Sequence, residues 1–200
     1  MEGHDHGHGH SHGERHEHHG LTSRGTFDDI AVLRMIGVTK GQRFLDAGCA
    51  DGHFSIAASN LVGETGHVFS FDIHEPSLNS FTEEVSSLGI SNITIGLVDV
   101  RGELPVEDAT LDHFFLSNVM HGFVFNGEEA AVISNIRSKL KIGGLLSLIE
   151  WDKDNVVHGP PRDHRLSFEE MKALVSHEGF SPVKKGMASP EHVLMMFKRI

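Results

Sequence analysis

Cysteine is almost missing from this chain: Cys49 stands alone among 200 residues, so no internal disulfide can form. A fold that does without disulfides suits a reducing compartment. Basic residues are also in short supply, with 17 Lys+Arg against 28 Asp+Glu and a net charge of −11. No basic stripe is left for a phosphate backbone, and nucleic acid is not expected as a partner. Long apolar runs are absent too. The stretches 114–120 and 145–149 fall far short of the ~18 residues needed to span a bilayer. The first residues hold no apolar signal-peptide core. Together these absences predict a soluble, cytoplasmic protein. The hydrophobic share of 38% suffices for one compact core.

Composition splits the chain near residue 25. Residues 1–20 read MEGHDHGHGHSHGERHEHHG, with His4, His6, His8, His10, His12, His16, His18 and His19 set among Gly, Ser, Asp and Glu. Such a segment buries no apolar area, so residues 1–24 are expected to form a disordered tail and 25–200 the folded domain. Imidazoles are good nitrogen ligands for divalent ions, and this tract has the chemistry to bind zinc, nickel or copper.

From Thr26 onward helical and extended patterns alternate. DDIAVLRMIG carries apolar residues at helical spacing behind Asp28 and Asp29. RFLDAG predicts a buried strand, GHFSIAASNLVG a helix, HVFSFDI a strand, SLNSFTEEVSSLG a helix and NITIGLVDV a third strand. LDHFFLSNVM reads as one long strand covered on both faces. EEAAVISNIRSKLKIGG predicts a helix closed by Gly143–Gly144, LLSLIEW a fifth strand, and SFEEMKALVSHEGF a helix opened by Ser167 and Glu170 in capping-box spacing. Two strands finish the chain, close enough to be antiparallel. The expected fold is α/β and Rossmann-like: a seven-stranded, mostly parallel sheet with helices on both faces and an antiparallel last strand.

In such a sheet a ligand sits beyond the carboxyl ends of the strands, which directs attention to FLDAGCADGHFS. Gly48 and Gly52 give the turn its freedom to bend. A dinucleotide fingerprint would need glycine where Ala50 and His53 stand, so a pyrophosphate cradle is disfavoured. Asp46 places a carboxylate beside the turn, suited to an ammonium. Asp72, at the end of the second strand, can accept both hydroxyls of a ribose, and Asp99, at the end of the third, can accept from an adenine amino group. Three carboxylates at successive strand ends fit a nucleoside with a cationic amino-acid appendage and no phosphate, as in S-adenosylmethionine.

With these residues in view, the sequence resembles the class I S-adenosylmethionine-dependent methyltransferases over nearly all of 26–200. DAGCADG is similar to the family's first motif, with Ala50 at its middle glycine. The resemblance implies cofactor contacts from Asp46, Gly48, Cys49, Ala50 and Gly52, a ribose-binding Asp72, an adenine-side Asp99, Ile73 and Val100 flanking the base, and Asn118 at the ligand edge. VVHGPPRDHRLSFEEMKALVSHEGF resembles the type 11-like group that includes ubiquinone and menaquinone biosynthesis enzymes. That group implies a small-molecule methyl acceptor without naming it. Where protein and nucleic-acid amino methyltransferases carry an NPPY-like motif, this chain has SNVM.

Methyl transfer depends mainly on alignment of the acceptor. Where the acceptor carries a proton, His121 is the candidate general base and Glu150 and Trp151 the next residues to wall its pocket. His121 has a second reading, as a helix cap or a partner for a backbone carbonyl. His158, Arg162, Asp163 and His164 lie in a loop placed to cover the pocket, and Arg162 and Arg165 either bind an acidic acceptor or pair with neighbours. Cys49 reads as a small packed residue. The histidine tract keeps one alternative open, a metal-handling or regulatory protein that retains a methyltransferase fold. The sequence sets no oligomeric state.

Overall fold

The computed structural model describes residues 22–155 and 157–200. The eight tail histidines named above lie outside the described residues. Seven strands form one sheet in the order β3-β2-β1-β4-β5-β7-β6. β1 (Arg43–Ala47), β2 (His67–Asp72), β3 (Ile93–Leu97), β4 (Leu111–Ser117) and β5 (Leu140–Trp151) are parallel. β7 (His192–Arg199) runs antiparallel to both β5 and β6 (Phe180–Ser189). The expected fold class, with its reversed last strand, is the one observed.

Alternation along the strands sends side chains to two cores. Phe44, Val68, Phe115, Ile149, Leu194 and Met196 pack with α1 (Asp29–Met35) and α2 (His53–Val62) on one face. Leu45, Phe69, Phe114, Leu116, Leu148 and Phe197 pack on the other, against α4 (Met120–Asn126), α5 (Glu129–Lys139) and α6 (Phe168–Ser176). A third cluster seats α3 (Glu75–Ser87) through Leu78, Phe81 and Val85, with Cys49 among them. Side chains that alternate faces with a period of two require both faces to be covered, which is why β4 reads as continuously apolar.

Three local expectations are corrected. The long strand expected from Leu111 to Met120 ends at Ser117, because Asn118 turns left-handed at φ +57° and a short helix, α4, follows. The helix expected to close at Gly143–Gly144 ends at Lys139 instead. Those glycines lie inside β5, in a bulge between the Leu111–Leu140 and His113–Leu145 pairs, where Gly143 adopts φ +82°. Lys141 Nζ pins that bulge to Asp112 at 2.7 Å. The third strand stops at Leu97, so Asp99 sits in the following turn and its carbonyl accepts from the Gly102 amide. The capping box of α6 forms as expected between Ser167 and Glu170.

The turn between β1 and α2 is fixed by close packing. Gly48 (φ +74°) and Gly52 (φ +73°) are both left-handed. A Cβ on Gly48 would come 2.5 Å from Val119, and one on Gly52 would come 2.2 Å from the Phe81 ring. These glycines are required by conformation and by neighbouring protein atoms. Gly52→Ala is therefore expected to cost about 2–4 kcal/mol, combining left-handed strain with overpacking. Urea unfolding of the variant measures it, and a change below about 0.5 kcal/mol would show that α3 gives way freely.

Candidate functional site

Along the carboxyl ends of β1, β2, β4 and β5 runs one cavity of about 600 Å³. Of the residues singled out from sequence, Asp46, Gly48, Cys49, Ala50, Asp72, Ile73, Asp99, Val100, Asn118 and His121 all border it. Gly52 acts from beneath, through its packing on Phe81. Glu150 is fully buried behind His121.

The turn is tied to β2 by its own backbone. The amides of Gly48 and Cys49 donate to the Phe71 carbonyl at 2.7 and 3.1 Å. The Ala50 amide donates to Asp72 Oδ2 at 2.8 Å, and the His74 amide donates to Oδ1 at 2.8 Å. Asp72 thus braces the turn while its carboxylate borders the cavity. Ala50 holds φ +47°, the left-handed region that glycine occupies with less strain. Its substitution for glycine therefore acts through the backbone as well as through the added methyl.

Asp46 is 2% exposed and accepts from Ser55 Oγ at 2.6 Å; Ser55 Oγ in turn accepts from Ser70 Oγ at 2.8 Å. Burial pushes its pKa up to about 6, against the opposing pull of the Ser55 hydrogen bond. Burial, with Asp46 and Asp72 nearby, pushes the Cys49 thiol well up, so it stays protonated. The packed, unreactive reading of Cys49 agrees with this. Asp99 meets Arg101 (Nη2–Oδ2 2.6 Å), and Arg101 also reaches Glu128 Oε1 at 2.6 Å. The only Lys or Arg bordering the cavity, among the described residues, is therefore held by two carboxylates.

At the other end His121, on α4, and Glu150, on β5, form a buried pair. Nδ1 lies 2.7 Å from Oε2, and the His121 amide donates to Oε1 at 3.1 Å. Burial and Arg165 lower the His121 pKa, but the charge and hydrogen bond of Glu150 outweigh them, and the net direction is upward. The helix-cap reading and the ionisable-pair reading of His121 thus meet in one interaction, because Glu150 caps the first turn of α4 with the same carboxylate.

The covering loop is not an anionic-ligand clamp. Arg165, 3% exposed, donates to the carbonyls of Pro160, Asp152, Asn155 and His158. Its donors serve the loop's own backbone, in line with the reading in which it pairs with neighbours rather than with an acidic acceptor. Arg162 pairs with Asp154 at 3.4 Å on the exposed side. Sequence reading missed His192 and the segment Thr22–Thr26. Ser23 Oγ lies 3.0 Å from His53 Nε2, and Arg24 bridges Asp51 and Glu84 at 2.7 and 2.8 Å. No local pattern signals these contacts, since each joins residues remote in sequence.

The carboxylate-rich wall fits a cationic nucleoside. Asp46 and Asp72 stand at the turn with no free cation beside them, and Asn118 Oδ1 is buried without a hydrogen-bond partner. An unpaired acceptor bordering a cavity of this kind is suited to a ligand N–H. A polyphosphate would meet repulsion there. Among the described residues no group of three or more His, Cys, Asp and Glu is placed to hold a metal, and no helix is long and apolar enough to cross a membrane.

The raised Asp46 pKa carries a pH signature. The folded state binds that proton more tightly than the unfolded chain, so the contribution is fully present below pH ~4 and is lost as pH rises through about 6. Asp46→Asn should gain stability over the parent at pH 7.5, by up to about 3 kcal/mol, with the gain shrinking towards pH 4. Thermal melts across that range test it; a gain that grows as pH falls would contradict the assignment.

Comparison with known proteins agrees with this geometry. The family described as a methyltransferase domain matches residues 38–192. Demethylmenaquinone methyltransferase from Staphylococcus aureus is 32% identical over 123 residues, covering 60% of this chain and 47% of that protein. The ubiquinone/menaquinone biosynthesis C-methyltransferase UbiE from Haemophilus ducreyi is 32% identical over 118 residues, 58% of this chain and 44% of that one. The chain thus spans less than half the length of these relatives. A SAM-dependent methyltransferase from Aquifex aeolicus shares the fold at a TM-score of 0.78, with 24% identity over 87% of this chain and 90% of its own. This chain belongs to the methyltransferase-domain family, of the class I S-adenosylmethionine-dependent kind.

Proposed function

We propose that the protein transfers a methyl group from S-adenosylmethionine to a small-molecule acceptor. The observation carrying this reading is the continuity of one cavity, with carboxylates at the ends of β1 and β2 and the His121–Glu150 pair at the far end. When bound, S-adenosylmethionine supplies an electrophilic methyl on a sulfonium. Asp72 would hold the ribose hydroxyls, Ile73 and Val100 the base, Asp99 the adenine side and Asp46 the cationic end. Asn118, whose Oδ1 has no protein partner, would orient the amino-acid portion.

The protein's own task is then to align an acceptor and manage its proton. Glu150 fixes the orientation of the His121 ring through Nδ1 and favours its protonated form. His121 would take a proton from an acidic acceptor group as the new bond forms, and Glu150 would offset the charge left on the ring. The relatives named for quinone biosynthesis support a small-molecule acceptor, and the lone, buried Cys49 supports a cytoplasmic setting. Metal affinity of the residue 1–20 histidines is a separate part of this proposal, resting on imidazole chemistry alone.

Calorimetric titration with S-adenosylmethionine tests the reading. Micromolar binding is expected, weakened by about 1–3 kcal/mol in Asp72→Ala through loss of charge-assisted hydrogen bonds. Unchanged affinity would remove Asp72 from the site. Nickel titration of the full chain against a chain beginning at residue 22 tests the tract; equal metal uptake would dismiss its role.

A further inference from the structure

Thr22, Ser23 and Thr26 border the cavity, on a strap of chain that leads into α1. The two ends of the strap are held by different forces. At the α1 end Phe27 packs against the core, its ring 5.6 Å from Phe54 and 4.9 Å from His192, which itself lies 4.2 Å from Trp151. At the other end the grip is ionic. Arg24 Nε donates to Asp51 Oδ2 at 2.7 Å and Nη2 to the Asp51 carbonyl at 3.0 Å, while Nη1 and Nη2 reach the two Glu84 oxygens at 3.2 and 2.8 Å. One guanidinium thus clasps the strap both to the glycine turn between β1 and α2 and to α3.

Apolar packing resists opening, whereas exposed ion pairs exchange readily with water and salt. The Arg24, Asp51 and Glu84 side chains are 42%, 23% and 37% exposed, which leaves the clasp weak and open to screening. Burial alone would raise the Asp51 pKa, but the hydrogen bonds and charge of Arg24, with Thr22, outweigh it and hold it down, so the clasp stays charged near neutral pH. Beneath it Ser23 Oγ lies 3.0 Å from His53 Nε2, and His53 Nδ1 lies 2.9 Å from Asp29 Oδ2. Water can take the place of the serine hydroxyl at that nitrogen when the strap lifts. Gly25 holds φ +82° at the apex, and a Cβ there would meet nothing within 4 Å. The Thr26 amide donates to the Ser23 carbonyl at 3.0 Å, so residues 23–26 can swing as a unit from Phe27 without displacing packed side chains.

We propose that residues 22–26 are a gate for the nucleoside cofactor, closed by the Arg24 clasp on Asp51 and Glu84 and opened by its release. This rests on the cavity being the S-adenosylmethionine site. Arg24 is then a positioning residue, acting on the cavity through Ser23 and the rest of the strap. Each turnover requires S-adenosylhomocysteine to leave and S-adenosylmethionine to enter, and a closed strap bars both passages. Loosening the clasp therefore speeds entry and exit alike and leaves their ratio, the affinity, nearly as it was. Loss of a direct ligand contact would instead speed exit alone.

Stopped-flow mixing of the full chain with S-adenosylhomocysteine, followed through Trp151, the single tryptophan and a residue bordering the cavity, tests the gate. Arg24→Gln is expected to speed association and release alike by about five-fold or more, with the calorimetric Kd held within about two-fold. Glu84→Gln, on α3 and outside the cavity lining, should speed both by a smaller factor, and the double variant should be no faster than Arg24→Gln. Raising salt from about 0.05 M to about 0.5 M should speed exchange in the parent and leave Arg24→Gln nearly unchanged. Unchanged rates in Arg24→Gln, faster release alone with a weakened Kd, or effects that multiply in the double variant would overturn the proposal. If Arg24→Gln fails to fold, Glu84→Gln and the salt response of the parent decide. A parent that binds no S-adenosylhomocysteine removes the functional reading and this proposal with it; one that binds it at rates indifferent to salt and to both substitutions removes this proposal alone.

Discussion

The site depends on how β2 grips the turn that follows β1. Two backbone amides at the Phe71 carbonyl and one at the Asp72 carboxylate set the path of residues 48–50. That path is open only to left-handed backbone at Gly48, Ala50 and Gly52. Val119 and Phe81 then fill the space that side chains on the two glycines would occupy. The position of α2 therefore follows from the turn, and with it the location of Ser55 beneath Asp46. A ligand-facing carboxylate and a structural brace are the same group in Asp72, so loosening the turn and weakening the site are coupled.

Other parts of the cavity are held at an energetic cost. Asp46 is kept from water with one hydroxyl donor, Asn118 takes a left-handed conformation, and His192 Nε2 lacks a protein partner. Each feature is destabilising in the folded chain, on the order of 1–3 kcal/mol. Clustered along one cavity, they describe a surface prepared for a ligand that would complete the missing interactions. The surrounding cores are mainly apolar, with residues alternating between the two faces of the sheet, although His113 Nδ1 on β4 and Ser147 Oγ on β5 are also buried there without a hydrogen-bond partner.

The His121–Glu150 pair links two elements by one carboxylate. Glu150 is at the end of β5, His121 in the first turn of α4, and the carboxylate reaches both the ring and the amide. Fixing the ring in this way limits the geometry from which a proton can be taken. Arg165 performs a comparable task for the loop, where one guanidinium gathers four carbonyls and leaves the indole of Trp151 beneath the loop backbone.

Much of the fold was legible because apolar periodicity is local. The alternation in Phe44–Leu45, the helical spacing in α1 and α3 and the Ser167–Glu170 cap each specify an element within a dozen residues. Asp46, Asp72 and Asp99 could be picked out for the same reason, since they sit in or near the carboxyl ends of recognisable strands, whereas Ile73 and Asn118 came from the family resemblance. What escaped was decided by distance and handedness. The aromatic sequence MHGFVFN carries strand-like residues, yet Asn118 reverses the chain and the burial of Met120 and Phe123 makes it helical. Gly143–Gly144 reads as a helix stop until the β4–β5 register absorbs it as a bulge. The sequence by itself determined the alternation of strands and helices and which residues carry charge. Only the tertiary structure decided that His192, remote in the chain, would stand against Trp151, that Arg165 would be consumed by its own loop, and that Glu150 would close on His121. Those pairings come from strand register and packing, which no local pattern encodes.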